Sequence, residues 1–147
     1  MYFCILNINP KRMKKKGFAI TIVLLSAMLA GCRKVTLDEK IYREAKEYTA
    51  KNCPRISEQD IMMDSLCYDM DSRTLSYCYT ISGVIDKEEI YDEQLCDAFR
   101  EKVLGELRNN IQLKDYKDAN IRFRYIYHSE STGEVLIELT FGKEDYS

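Results

Sequence analysis

The sequence predicts an α+β domain over residues 36–147: two layers in the order αββαββ, a four-stranded antiparallel sheet with two helices on one face. Three observations predict it. Apolar residues recur at helical spacing in two stretches, they alternate with period two in two others, and the two kinds of stretch take turns along the chain. Shifted by 59 residues, Thr80–Gly83 falls on Leu139–Gly142 and Tyr68 on Tyr127, a repeat of pattern rather than of side chains.

The first helix is expected over 37–52. Thr36-Leu37-Asp38-Glu39 reads as a capping box, in which the Thr36 hydroxyl accepts from the Glu39 amide and Glu39 reaches back. Ile41, Ala45, Tyr48 and Thr49 follow at helical spacing, and Pro54 ends the segment because it disfavours a helical residue before it. From Ile61 the period becomes two. Leu66, Tyr68 and Met70 alternate with Cys67 and Asp69, then Asp71-Ser72-Arg73 supplies turn chemistry, and Leu75, Tyr77, Tyr79 and Ile81 alternate with Ser76, Cys78 and Thr80. Asp86, with Glu89 three residues on, is expected to cap the second helix. Its apolar stripe is Tyr91, Leu95, Phe99, Val103, Leu107 and Ile111, interrupted by Gly105 at a cost of about 1 kcal/mol. Alternation returns with Ile121, Phe123, Tyr125 and Tyr127, a loop over Ser129–Gly133, and Val135, Ile137, Leu139 and Phe141.

The segment before this domain reads as an address. Lys14, Lys15 and Lys16 precede an apolar run from Phe18 to Ala30, broken only by Thr21 and Ser26. Thirteen helical residues reach about 20 Å, short of the ~30 Å hydrocarbon core, so a signal-peptide apolar region fits better than a spanning anchor. The run ends in Leu29-Ala30-Gly31-Cys32, which resembles the lipobox of bacterial lipoproteins. That resemblance implies a diacylglycerol thioether on Cys32, cleavage between Gly31 and Cys32, and a mature chain that begins at Cys32. One buried acyl chain binds a bilayer marginally and two or more hold it durably. Residues 1–31 are then removed, with translation expected to start at Met13, and residues 32–35 form a short lipidated tether. No Asp stands beside Cys32 and no acidic pair comes immediately after it, where Arg33 and Lys34 stand instead, so the expected location is the periplasmic face of an outer membrane or the outer face of a plasma membrane.

Charge narrows the partners. Residues 1–31 hold five bases and no acid, and the remaining 116 residues carry 17 bases against 24 acids. A net charge of −7 argues against nucleic acid as a partner. The helix-free sheet face is expected to carry Arg122, Arg124, Ile126, Leu136 and Glu138, with Tyr127 opposite Val135 and Arg124 opposite Glu138. This is a candidate interaction face, and the competing reading is a solvated face with ordinary charge pairs. Outside the cytoplasm an even cysteine count favours disulfides, and Cys67–Cys78 with Cys53–Cys96 is the preferred connectivity. Four reduced, buried cysteines are the alternative.

Enzyme chemistry finds little purchase. His128 is the one histidine, no nucleophile elbow or Cys-x-x-Cys occurs, and Asp69–Arg73 begins like a calcium loop but puts Arg73 at a ligand position. The expectation is therefore no enzyme, no metal and no cofactor beyond the covalent lipid on Cys32. It favours a membrane-tethered accessory module that docks an envelope protein. The alternatives are a ligand-binding lipoprotein with a pocket beside Tyr68, Tyr77 or Tyr125, and an envelope enzyme built around His128.

Overall fold

The computed structural model describes residues 34–147. Met13, Gly31 and Cys32 lie outside the described residues. The order of elements is α1 (Leu37–Asn52), β1 (Arg55–Glu58), β2 (Ile61–Asp69), β3 (Thr74–Ile81), α2 (Glu93–Asn109), α3 (Lys114–Asp118), β4 (Arg122–Ser129), β5 (Val135–Phe141) and α4 (Lys143–Tyr146). Short 3₁₀ turns at Gly83–Ile85 and Glu88–Ile90 lead from β3 into α2.

Helix α1 starts on the expected capping box: the Thr36 hydroxyl accepts from the Glu39 amide at 3.2 Å, and the Glu39 carboxylate accepts from the Thr36 amide at 3.0 Å. It buries Ile41 and Ala45. Near its far end the Thr49 hydroxyl donates to the Leu66 carbonyl and accepts from the Leu66 amide, both at 2.8 Å. One side chain thus pairs two backbone groups on the edge of β2, beyond the short reach of β1.

The α+β class holds, but the sheet has five strands in the order β1-β2-β3-β4-β5 and is mixed. The expected four antiparallel strands differ from this in two ways. First, β4 runs parallel to β3, with Leu75 beside Phe123, Tyr77 beside Tyr125 and Tyr79 beside Tyr127. The reason is α2: it carries the chain back along the sheet, so the second hairpin re-enters in the direction of the strand it joins. Second, residues 55–58 form an edge strand paired with Ile61–Met63. All four of its residues are exposed, so it leaves no alternation in the sequence.

A bulge in β2 keeps one face apolar. Leu66 lies opposite Tyr77 and Tyr68 opposite Leu75, whereas past the irregularity Met63 lies opposite Tyr79 and Ile61 opposite Ile81. Without the extra residue the odd and even positions would trade faces. Phe123, Phe141, Leu75, Ile81 and Ile121 are the core of that face, joined by Val103, Leu104 and Leu107 of α2 and by Tyr146 of α4. Tyr146 meets Phe123 edge to face at 5.5 Å and donates to the Ile121 carbonyl.

Helix α2 departs from expectation at both ends. Its N-cap is Asp92, which accepts from the Leu95 amide at 2.8 Å, while Asp86 accepts from the Ser131 amide and pins the β4–β5 loop. The stripe holds in the middle, but Leu95 is 41% and Ile111 85% exposed.

Candidate functional site

The two long helices sit apart on the sheet. Helix α1 packs along β2, while α2 leans toward β4 and β5 through Phe99, edge to face with Tyr127 at 5.2 Å, and through Arg100 over the Phe141 ring at 4.7 Å. Between them the two central strands present tyrosines. Because β3 and β4 are parallel and in register, Tyr77 stacks on Tyr125 at 4.8 Å and Tyr79 on Tyr127 at 4.7 Å. A cleft of about 90 Å³ opens here, bordered by Tyr79, Tyr125 and Tyr127 from the sheet and by Phe99, Lys102 and Glu106 from α2. The Lys102–Glu58 ion pair spans from α2 to β1, and the Tyr116 hydroxyl donates to Glu44 between α3 and α1.

The four stacked tyrosines make no hydrogen bond through their hydroxyls among the described residues. Burial raises all four above the ordinary phenol value, Tyr79 to about 12, and proximity to other rings of the ladder adds to the rise at Tyr77, Tyr125 and Tyr127. They are neutral at any physiological pH. None of the four hydroxyl oxygens is a buried atom: each reaches the surface, where solvent can satisfy it. Here a ladder of flat, amphipathic rings keeps its donors and acceptors uncommitted, and Tyr is one of the residue types enriched in the cores of protein interfaces.

A larger hollow, about 360 Å³, lies between α1 and the edge of β2, lined by Tyr42, Lys46, Thr49, Ala50, Leu66, Cys67 and Tyr68. At its side the Tyr68 hydroxyl and the Arg73 guanidinium both donate to Asp38. The Tyr68 bond is the largest influence holding the Asp38 carboxyl below its usual value, opposed by partial burial and assisted by Arg73.

The opposite sheet face carries no helix among the described residues, as the sequence predicts, but its register differs. Ile126 lies opposite Glu138 and Arg124 opposite Thr140, two residues away from the expected pairing, because His128 meets Val135 across a bulge. Arg124 still reaches Glu138 diagonally at 2.8 Å, which lowers the Glu138 carboxyl. Leu136 packs partly against the core, and Arg122 is exposed. Arg124 and Glu138 on this face thus satisfy each other.

The cysteines are separate thiols. The four-residue turn 70–73 places Cys67 opposite Ser76 and Cys78 opposite Ser65, so the two are diagonal neighbours rather than the expected direct pair. The Cys96 sulfur, on α2, donates to the Tyr91 carbonyl just before the helix, and Cys53 closes α1, so the expected Cys53–Cys96 bond is not formed either. Burial raises Cys53 and Cys78, which keeps both protonated. His128 stands beside Thr80 and opposite Val135, with no acid or thiol bonded to it among the described residues. No group of three or more His, Cys, Asp or Glu among the described residues is arranged to hold a metal ion, and no described helix is long and apolar enough to cross a membrane.

Solved structures share this fold. A protein of Pseudomonas aeruginosa described as secreted superposes with a TM-score of 0.64 at 13% identity, covering 78% of this chain and all of that one. The pilotin EpsS of the Vibrio vulnificus type 2 secretion system superposes with a TM-score of 0.58 at 8% identity, covering 76% of this chain and 92% of its own. At such identities the likeness concerns the fold. No curated protein sequence matches the chain. Residues 36–137 match the model of the domain of unknown function DUF8479, which spans both helices, the tyrosine cleft and four and a half strands of the sheet, and the chain belongs to that family.

Proposed function

We propose that this protein is a lipid-anchored lipoprotein of the cell envelope whose domain acts, without catalysis, as an accessory module docking another envelope protein through the tyrosine cleft. The lipobox-like Leu29–Cys32 supports the anchor on Cys32, and the two fold neighbours, one described as secreted and the other a secretion-system pilotin, support the compartment. The observation that carries the docking role is the ladder of Tyr77, Tyr79, Tyr125 and Tyr127, whose hydroxyls take no partner among the described residues. Its cleft of about 90 Å³ is well below the roughly 300–1,000 Å³ of small-molecule sites, so the rings suit the side chains of a protein partner rather than an enclosed metabolite. The neutral face around Arg124 and Glu138 contributes less, since those charges already satisfy each other.

Co-purification tests this. The lipidated chain, extracted from membranes in mild detergent, is expected to bring down one envelope protein, and Tyr79→Ala with Tyr125→Ala is expected to lose it while the far-ultraviolet circular dichroism is unchanged. A co-purified protein that persists in the double variant contradicts docking at the cleft. Replacing Cys32 by Ser is expected to abolish labelling by an alkyne palmitate, and labelling that survives contradicts the anchor.

One observation favours a second reading, a ligand-binding lipoprotein. The hollow beside Tyr68, at about 360 Å³, falls inside the range of small-molecule sites. Native mass spectrometry of the purified chain separates the two: a bound small molecule retained with the protein, and lost in Tyr68→Ala, would favour the ligand site over docking.

A further inference from the structure

The end of the domain opposite its N-terminus carries a third feature. Asp38, in the first turn of α1, bonds Tyr68 near the end of β2 and Arg73 in the β2–β3 turn, so α1 starts at that end of the sheet. At the other end of β3, about 23 Å away along seven residues of strand, lies Ile81. There the two 3₁₀ turns, the first turns of α2 and the ends of β3, β4 and β5 enclose a cavity of about 190 Å³ whose lining is almost wholly apolar, including Ile61, Ile81, Ile85, Phe99 and Ile137. The rim is exposed: Ile90 at 38% and Leu95 at 41%, with Val84 beside it at 74%. The Tyr91 hydroxyl donates to the Ile85 carbonyl at 2.7 Å and ties the two turns that frame the mouth.

Charge around that mouth is one-sided. Residues 86–97 hold Asp86, Glu88, Glu89, Asp92, Glu93 and Asp97 against the single base Lys87. All but Asp86 are exposed acids, and no ion pair neutralises any of them among the described residues. This stretch accounts for five of the seven net negative charges of the chain after residue 31. Elsewhere the exposed carboxylates Glu47, Glu58, Asp118 and Glu138 each have a basic partner. An apolar socket ringed by unpaired carboxylates is complementary to one kind of segment.

We propose that this socket receives a large apolar side chain from a basic segment of a partner protein, with the flanking lysines or arginines meeting the acidic rim. The inference rests on the accessory-module reading only in requiring a protein partner; the socket is distinct from the tyrosine cleft, though Ile61, Phe99 and Tyr127 border both. Charge selects among occupants. A second copy brings the same acids and is repelled, an anionic lipid surface or nucleic acid is repelled likewise, and a small ligand would need a larger space than about 190 Å³.

The test uses the full lipidated chain in a neutral detergent and two labelled synthetic peptides of equal length and positive charge, one with leucine and one with glycine at the centre. The leucine peptide is expected to bind at least about tenfold tighter, with affinity falling steeply as salt is raised. Glu88→Lys with Glu89→Lys, both at exposed positions, is expected to weaken both peptides by about tenfold or more, and Leu95→Ser to erase the preference for leucine. Equal binding of the two peptides overturns the socket, and binding indifferent to the charge reversal overturns the acidic rim. Either failure leaves co-purification through Tyr79 and Tyr125 unaffected, so the two proposals fall separately.

Discussion

Single side chains decide several features that periodicity does not show. The Thr49 hydroxyl is one: Thr49→Val keeps the shape but leaves the Leu66 amide and carbonyl unpaired on the β2 edge. Stability to urea is expected to fall by about 1–3 kcal/mol, and an unchanged midpoint contradicts the pairing. Asp38 sets an acid limb. Its folded value lies below the ordinary 3.8, so its contribution is present above that pH and is lost as the pH falls through the lowered folded value. Tyr68 sets an alkaline limb with the opposite sign. Its folded value is raised from 10.0 to about 12, so its contribution is complete below pH 10 and lost as the pH rises toward 12. Asp38→Asn is expected to flatten the acid limb in a pH series of urea melts, and an unaltered acid limb contradicts the assignment. The ladder tyrosines, held neutral by burial, are expected to ionise only with unfolding, which phenolate absorbance during an alkaline titration measures.

At the level of elements, helix α2 separates what was legible from what was not. Its middle, Phe99, Val103 and Leu107, is readable because a helix packed on a sheet must bury a stripe. Its start is not, because Asp86 and Asp92 carry the same capping chemistry and only the β4–β5 loop, which Asp86 binds, distinguishes them. Asp92→Ala is therefore expected to cost about 0.5–2 kcal/mol of stability through the helix cap, with lowered helical ellipticity in the melt. Asp86→Ala is expected to leave the helix start intact and to loosen residues 129–134, seen as faster amide exchange there. Gly105 settles another ambiguity. A β-carbon there meets nothing within 4 Å, so the glycine serves no close packing, and Gly105→Ala is expected to stabilise by roughly 0.5–1 kcal/mol. The edge strand β1 escaped notice for a physical reason: with every residue exposed, its backbone pairing has no counterpart in side-chain alternation.

Across the whole molecule, most of the apolar face of the sheet was visible in the sequence, from Tyr68 and Leu75 to Leu139 and Phe141, whereas Met70 and Val135, expected on it, stand 47% and 49% exposed at strand ends. Strand direction was not, since alternation is the same for parallel and antiparallel neighbours and only the path of α2 makes β3 and β4 parallel. That hidden choice creates the site. Antiparallel strands would not bring Tyr77 to Tyr125 and Tyr79 to Tyr127 in the same register, and the stacked ladder follows from the parallel pairing. Of the ladder, Tyr77 and Tyr125 are legible in the sequence as a pocket wall, whereas the part of Tyr79 and Tyr127, the open hydroxyls and the separation of the helices depend on tertiary packing. The acidic, apolar far end was likewise invisible as a surface, because Leu95 reads as core in a periodic stripe and stands 41% exposed at the mouth of a cavity.

The central claim is that the tyrosine cleft of the anchored domain meets a protein. Photo-crosslinking in living cells, with a benzophenone amino acid placed at Tyr79 of the full lipidated chain and separately at Asp71 in the exposed β2–β3 turn, tests it most directly. The account predicts one discrete envelope-protein adduct from position 79 and none from position 71. No adduct from position 79, or the same adducts from both positions, would contradict it.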